Sequence, residues 1–119
     1  MKKKVFLVTG GTGFIGSNIS GLLVSKNYNV KIFDNNSRGS TQKIKNFKKK
    51  VKFIKGDIRN KQSLNKALKK TDAVIHLAYV NGTKYFYSKP VLVLDIAIKG
   101  ITNIIEGCIE NKIKELYLA

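Results

Sequence analysis

The sequence predicts an α/β fold in which helices cover both faces of a parallel sheet. Short apolar segments of strand length alternate along the chain with segments whose apolar residues recur at helical spacing. The first apolar segment runs directly into a cluster of glycines, and a helical pattern begins immediately after it. Strands that alternate with helices form parallel sheets with right-handed crossovers. One doubly wound domain over residues 1–119 is therefore expected.

Five segments have the length and apolar content of strands. The fourth is an unbroken apolar run, as expected of a strand at the centre of a parallel sheet. A glycine turn after the first strand is typical of a Rossmann sheet, for which the expected strand order is 3-2-1-4-5. The predicted strands are Val5–Val8, Val30–Phe33, Val51–Ile54, Ala73–Ala78 and Lys114–Leu118.

Three segments have the apolar periodicity of longer helices. The last of them begins at a proline, a residue favoured in the first helical turn because it has no N–H to satisfy. A short helix is also predicted over 41–47, whereas 79–89 is rich in aromatic and polar residues and is predicted to be a loop. The three longer helices are Phe14–Lys26, Lys61–Lys69 and Pro90–Glu110.

Composition and charge restrict the class of protein. The chain carries 23 Lys and Arg against 7 Asp and Glu, a formal net charge of +16. Nearly all of these cations are lysines spread over the whole chain, whereas arginine is preferred for base and bidentate phosphate contacts. A basic nucleic-acid-binding protein is therefore only a third hypothesis. No apolar run approaches the roughly 20 residues that span a bilayer, so no membrane association is expected.

A single cysteine, Cys108, excludes an internal disulfide and a cysteine metal cluster. It lies in a helical apolar pattern, where a buried small hydrophobe is expected rather than a reactive thiol. The cytoplasm is the expected compartment.

The glycine cluster after the first strand is the main candidate site. Gly10, Gly13 and Gly16 stand at Gly-x-x-Gly-x-x-Gly spacing between a strand and a helix, a context in which such a turn binds phosphate. Gly10 would turn the chain sharply, Gly13 would let the backbone approach a pyrophosphate, and Gly16 would let the helix pack closely. Phe14 and Ile15 begin the helix and are also candidate cofactor-binding residues. The alternative is a structural turn without a ligand.

Acidic residues stand at the ends of the second and third strands, the edge of the sheet where ligands bind. Asp34 follows Gly16 by 18 residues. An acid at this place accepts the ribose hydroxyls of an adenosine and repels a 2′-phosphate, which favours NAD over NADP. Arg38 nearby favours the opposite preference, and Asp34 could also be an ordinary turn acid. Asp57 could accept a hydrogen bond from the adenine amino group while Ile58 lines the ring.

The fourth strand runs into His76, and Leu77, Ala78 and Tyr79 follow it. Small and apolar residues there would let a cofactor lie against the backbone. His76 is the only histidine of the chain, and without a paired acid it is interpreted as structural rather than catalytic.

Four segments together resemble the extended short-chain dehydrogenase/reductases, and more narrowly the NAD-dependent epimerase/dehydratase family acting on nucleotide sugars. The resemblance covers essentially the whole chain. It implies that the glycine turn binds the pyrophosphate of NAD, that the acidic loop binds the adenosine ribose, that Asp57 contacts adenine, and that 76–79 lines the cofactor. The loop beginning with Asp34 and Asn35 is most similar to nucleotide-sugar 4-epimerases and decarboxylases, and Lys84 lies where some epimerases carry a cofactor-binding lysine. The four segments are Thr9–Ser17, Asp34–Asn35, Gly56–Arg59 and His76–Ala78.

The same resemblance implies that no catalytic residue lies in this chain. In the family the catalytic Ser/Thr and Tyr-x-x-x-Lys follow the fifth strand, and we expect the sequence to stop before both. Tyr85 and Lys89 have that spacing, but they precede the long helix, and Pro90 disfavours helical geometry at Lys89. The complete family enzyme would bind a nucleotide sugar and transfer a hydride to and from NAD. A homodimer through the 90–110 helix is implied, and a stand-alone or split NAD(P)-binding module without catalysis is the alternative.

Overall fold

The computed structural model describes residues 3–35, 41–79 and 83–119. These residues form one five-stranded sheet in the order β3-β2-β1-β4-β5. Every neighbouring pair in this order is parallel. The Rossmann topology predicted from the sequence is therefore confirmed. The strands are β1 (Val5–Thr9), β2 (Asn29–Asp34), β3 (Val51–Lys55), β4 (Ala73–His76) and β5 (Glu115–Leu118).

Helices and 3₁₀ turns connect these strands. The predicted strands and the three longer helices are confirmed within two residues at each end. The short helix predicted over 41–47 is a 3₁₀ turn, Thr41–Ile44, and a second 3₁₀ turn covers Lys48–Lys50. None of the described helices is both long enough and apolar enough to cross a membrane. The α-helices are α1 (Phe14–Ser25), α2 (Lys61–Leu68), α3 (Thr83–Ser88) and α4 (Pro90–Glu110).

Helix α3 lies where a loop was predicted, so that prediction is wrong. Its aromatic residues are poor helix formers in isolation, which is why the sequence favoured a loop. The residues of α3 itself, Thr83–Ser88, include no glycine or proline, and α3 contacts α4, so tertiary packing outweighs propensity. The chain leaves helical geometry at Lys89, with φ −141° and ψ 60°, because Pro90 follows.

Two apolar clusters cover the two faces of the sheet. One lies between the sheet and helices α2 and α4, and it includes Leu7, Phe33 and Val74. The other lies on the opposite face and includes Val8 and Ile32. Neighbouring residues of a strand thus contribute to opposite clusters, as the alternation of side chains along a strand requires. Because both faces of the sheet are buried at its centre, a ligand can reach it at the carboxyl ends of the strands, where the candidate site lies.

Candidate functional site

Gly10 turns the chain sharply at the end of β1. It has φ +73°, in the left-handed region that favours glycine. Its N–H donates to the Phe33 carbonyl oxygen at 3.0 Å, which joins the turn to β2. An added Cβ would lie 3.0 Å from the Leu77 carbonyl group, next to the end of β4. The turn is therefore fixed between the ends of β2 and β4, where the strand order reverses.

Gly16 and Gly13 have different surroundings. A Cβ on Gly16 would overlap the carbonyl oxygen of Gly10, so only glycine lets α1 pack this closely on the turn. A Cβ on Gly13 would meet a single described atom within 4 Å, the Gly10 oxygen at 3.3 Å. With respect to the described residues Gly13 therefore faces open space, as a residue that admits a ligand to the backbone would.

The first turn of α1 offers backbone N–H groups to that open space. Gly13 is its N-cap and has no side chain to cap it, and the first turn contains no acidic residue. The first N–H groups of a helix lack intrahelical partners, and together they form a positive end that suits an anion. The side chains of Phe14 and Ile15 are exposed beside them.

Asp34 ends β2 beside the glycine turn and is only 8% exposed. Its Oδ2 atom accepts two hydrogen bonds from Thr12, one from the N–H at 2.9 Å and one from the hydroxyl at 2.5 Å. The sequence reasoning did not identify Thr12, although a hydroxyl residue inside a glycine turn was a signal that could have been used. Asn35 follows and is exposed. Arg38, which bears on the choice between NAD and NADP, lies outside the described residues.

Asp57, after β3, is held by Arg59. Its Oδ1 accepts from the Arg59 N–H at 2.9 Å, and its Oδ2 accepts from Nη2 at 2.7 Å. Arg59 also donates from Nη1 to Asp95 on α4 at 3.1 Å. The hydrogen bonds from the Arg59 side chain and N–H to Asp57 hold the pKa of Asp57 below its usual range. The sequence contained the signal for Asp57 and Arg59, but it did not predict the hydrogen bond from Arg59 to Asp95, since that bond joins residues far apart in the chain.

The Ile58 side chain is placed differently from Asp57. It is 5% exposed and belongs to the apolar cluster between the sheet and α4, where it packs against Gly100. Its side chain is therefore mostly committed to the core. Contact between Ile58 and an adenine ring stays a prediction.

Thr9 organises the end of β4. Its hydroxyl oxygen accepts from the N–H groups of Leu77 and Ala78, at 2.9 and 3.1 Å. The Thr9 hydroxyl must then donate its own hydrogen to His76 Nδ1, 2.7 Å away. Leu77 and Ala78 are thereby held against the glycine turn, at the position predicted for the cofactor-lining residues.

His76 is fully buried. Because Nδ1 accepts from Thr9, the neutral ring carries its hydrogen on Nε2, which has no hydrogen-bond partner among the described residues. Burial lowers the His76 pKa to about 4. The Tyr79 ring packs against it with 4.8 Å between ring centroids, and burial raises the pKa of Tyr79. These contacts fit the structural interpretation of His76.

Two further candidates from the sequence lie in α3 or directly after it. The Lys84 side chain is not among the described side chains. Tyr85 lies in α3, and the Lys89 N–H donates to its carbonyl oxygen at 2.8 Å, but Lys89 itself is outside helical geometry. The pair therefore does not occupy one continuous helix.

One edge of the sheet carries the glycine turn, the N-terminus of α1 and the two acids at the ends of β2 and β3. This arrangement defines a Rossmann-type α/β protein. A family model described as GDP-mannose 4,6 dehydratase matches residues 7–119. The chain belongs to that family.

Individual proteins of known sequence or structure support this membership. A putative UDP-glucose 4-epimerase of Methanocaldococcus jannaschii is 39% identical over 116 residues, 97% of this chain and 37% of that protein. The structure of an epimerase from Methanothermobacter thermautotrophicus is 30% identical with a TM-score of 0.92, covering 98% of this chain and 35% of the other. The Thermus thermophilus UDP-glucose 4-epimerase, solved in complex with NAD, is 31% identical with a TM-score of 0.87, covering 94% and 36%. The chain thus spans about 36% of the length of these proteins.

Proposed function

We propose that this chain binds NAD as the cofactor part of an enzyme that acts on UDP-sugars, with epimerisation at C4 as the favoured reaction. The observation that carries the proposal is the position of the space bordered by Gly10, Gly13 and the first turn of α1, which we call the Gly13 cradle. The described residues leave it open, and it lies at the positive end of α1 between the buried Asp34 and the end of β4. The names of the relatives support the reaction, since several are UDP-glucose 4-epimerases and at least three of these were solved with NAD.

The described residues fit a dinucleotide in three places. The N–H groups of Phe14 and Ile15 would donate to the pyrophosphate, which Gly13 admits because it lacks a side chain. Asp34 would accept the hydroxyls of the adenosine ribose. Asp57 would accept from the adenine amino group while Arg59 keeps its carboxylate in place.

When bound, NAD would accept a hydride from the sugar and return it. The role of this chain in that chemistry is to bind and orient. Leu77 and Ala78 are held by Thr9 and present backbone and small apolar surface to the cofactor. We assign no catalytic residue here, because His76 is buried and Lys89 is outside helical geometry.

Preference for NAD over NADP follows from the charge of Asp34. A carboxylate at this position repels the 2′-phosphate that distinguishes NADP. Asp34 is almost fully buried, so solvent would screen this repulsion only weakly.

A second copy of this chain is the proposed partner of α4. The helix buries Ile96 and Ile104 towards the sheet, yet it exposes a row of large apolar side chains elsewhere on its surface. A contiguous exposed apolar face of this kind is typical of a protein–protein interface. The exposed residues are Val91, Leu94, Ile98, Ile105 and Ile109.

The cytoplasm stays the expected compartment, and the free buried thiol of Cys108 fits its reducing conditions.

Calorimetric titration with NAD⁺ and NADP⁺ tests the proposal. We expect saturable NAD⁺ binding that Asp34→Asn weakens by about tenfold, the value of one charged hydrogen bond. Asp72→Asn is the matched control, because Asp72 is an exposed acid that accepts from Val5 N–H at the opposite edge of the sheet. Absence of saturable binding to a folded sample would refute the proposal, and so would equal losses in the two variants.

A further inference from the structure

Thr12 fixes the orientation of the buried Asp34 carboxylate. The Thr12 side chain is fully buried inside the glycine turn, and both its N–H and its hydroxyl donate to the same atom, Asp34 Oδ2. The hydroxyl bond, at 2.5 Å, has the length of a charge-assisted O–H···O⁻ bond, which is among the stronger hydrogen bonds in proteins. Two donors from one residue prevent the carboxylate from rotating about its last side-chain bond.

The fixed orientation decides how the carboxylate meets a ribose. A carboxylate oxygen has about two acceptor sites, and Thr12 supplies donors for both sites of Oδ2. Further hydrogen bonds to Asp34 must therefore be accepted at Oδ1. A carboxylate that could rotate would present either oxygen, or turn its charge away from a bulky anionic group.

Thr12 also joins two parts of the candidate site. It belongs to the turn whose next residue, Gly13, borders the open space of the cradle, while its side chain reaches the end of β2. The position of the acid is thereby set by the same turn that would hold the pyrophosphate. The distance between the two binding elements is built into the turn before a ligand arrives.

We propose that Thr12 is a specificity-determining positioning residue, which gives NAD preference over NADP by holding the Asp34 charge beside the ribose 2′ position. This inference rests on the proposed function, because it requires that the cradle binds a dinucleotide. Loss of the Thr12 hydroxyl removes the shorter of the two hydrogen bonds from Thr12 to Asp34 Oδ2 and leaves the carboxylate less firmly oriented. Binding of NAD then loses a well-placed acceptor, whereas binding of NADP loses part of a repulsion.

Calorimetric titration of four variants with NAD⁺ and NADP⁺ tests this role. Thr12→Val replaces the hydroxyl with a methyl group at nearly constant volume, and Thr12→Ala provides a smaller variant should Val not fit. Thr12→Ser retains the hydroxyl. Thr102→Val is the matched control, because the Thr102 hydroxyl donates to the Ile98 carbonyl oxygen on the exposed side of α4. Thermal unfolding of each variant separates loss of fold from loss of preference.

We expect Thr12→Val and Thr12→Ala to weaken NAD⁺ binding by about tenfold, as for one hydrogen bond to a charged group. NADP⁺ affinity should be unchanged or higher, so that the ratio of the two dissociation constants falls by at least that factor. Thr12→Ser should restore the ratio, and Thr102→Val should leave it alone. In an Asp34→Asn background, Thr12→Val should no longer change the ratio.

Equal loss of NAD⁺ and NADP⁺ affinity in the Thr12 variants would overturn the inference and leave Thr12 a merely structural residue. An unchanged ratio with both affinities intact would overturn it as well. These results differ from failure of the proposed function, in which the unmodified chain itself binds neither dinucleotide.

Discussion

Gly13→Ala separates the stability of the glycine turn from its proposed ability to bind. Gly13 has φ −77° and ψ 178°, an extended conformation that any residue adopts. The new methyl group would meet only the Gly10 oxygen among described atoms, at 3.3 Å. The fold should therefore tolerate a methyl group in place of a Gly13 Cα hydrogen, whereas a pyrophosphate bound against the turn would not.

The two magnitudes can be worked out separately. Alanine is a poorer N-cap than glycine, but it also restricts the unfolded chain, which is worth about 0.4–1 kcal/mol in its favour. We therefore expect the free energy of unfolding to change by less than about 1 kcal/mol. The methyl group would displace the pyrophosphate from at least two N–H groups, each worth roughly 1.5–3 kcal/mol to a charged acceptor. NAD⁺ affinity should then fall by about 100-fold or more.

Gly16→Ala is the matched comparison. Its methyl group would overlap the Gly10 carbonyl oxygen, so this variant should lose stability even without a ligand. Urea unfolding followed by circular dichroism measures stability, and calorimetric titration measures NAD⁺ affinity. Wild-type affinity in a folded Gly13→Ala protein would refute the placement of the pyrophosphate against this turn.

Three further predictions concern the surroundings of the site. Because burial lowers the His76 pKa to about 4 from its ordinary 6.5, the unfolded chain takes up a proton before the folded chain does as the pH falls. The stabilisation that neutral His76 contributes is therefore complete above pH 6.5, and the free energy of unfolding should fall by about 2 kcal/mol by pH 5. His76→Gln should lack this loss in urea unfolding, and a pH slope equal to that of the wild type would contradict the prediction. Arg59→Lys should weaken NAD⁺ binding several-fold, since a lysine cannot make the two parallel hydrogen bonds by which a guanidinium holds the Asp57 carboxylate. The free energy of unfolding should change by no more than about 1 kcal/mol, because these ion pairs are partly exposed. Lys61→Gln, which breaks another ion pair to α4, should leave the NAD⁺ affinity unchanged, and equal effects of the two substitutions would contradict the role of Arg59 in holding Asp57. Ile98→Asn should weaken self-association, measured by sedimentation velocity, by about tenfold or more. Leu22→Asn on α1 is the control and should not weaken it, although Leu22 is 56% exposed and Ile98 63%. A monomeric wild-type chain would contradict the proposed interface.

Much of the fold could be predicted because local and long-range preferences agree. The apolar run around Val74 is typical of a buried strand, and it forms β4, which lies between β1 and β5 with Ala73 and Val74 fully buried. The glycine turn, the proline at the start of α4 and the turn residues then leave little freedom in the element boundaries. Helix α3 is the exception, since its aromatic residues disfavour a helix locally and contact with α4 decides its structure.

The candidate site was predictable in its strand-end positions but not in its contacts. Parallel strands place their ends on one edge, so Asp34 and Asp57 could be assigned to it from order alone. Nothing in the spacing showed that Thr12 would hold the first acid, because that contact depends on the path of the turn. The bond from Arg59 to Asp95 likewise requires the position of α4.

The strongly positive charge of the chain and the acids of its candidate site have different roles. A net charge of +16 attracts anionic ligands, but salt at physiological concentration screens exposed charges beyond about 8 Å. The lysines can therefore speed the encounter with a dinucleotide without selecting among dinucleotides. Selection requires a charge that is close to the ligand and shielded from solvent, and the buried Asp34 is the charge to which we assign this role in the proposed function. Substituting exposed lysines should accordingly change the association rate and its salt dependence, and leave the ratio of NAD⁺ to NADP⁺ affinity intact.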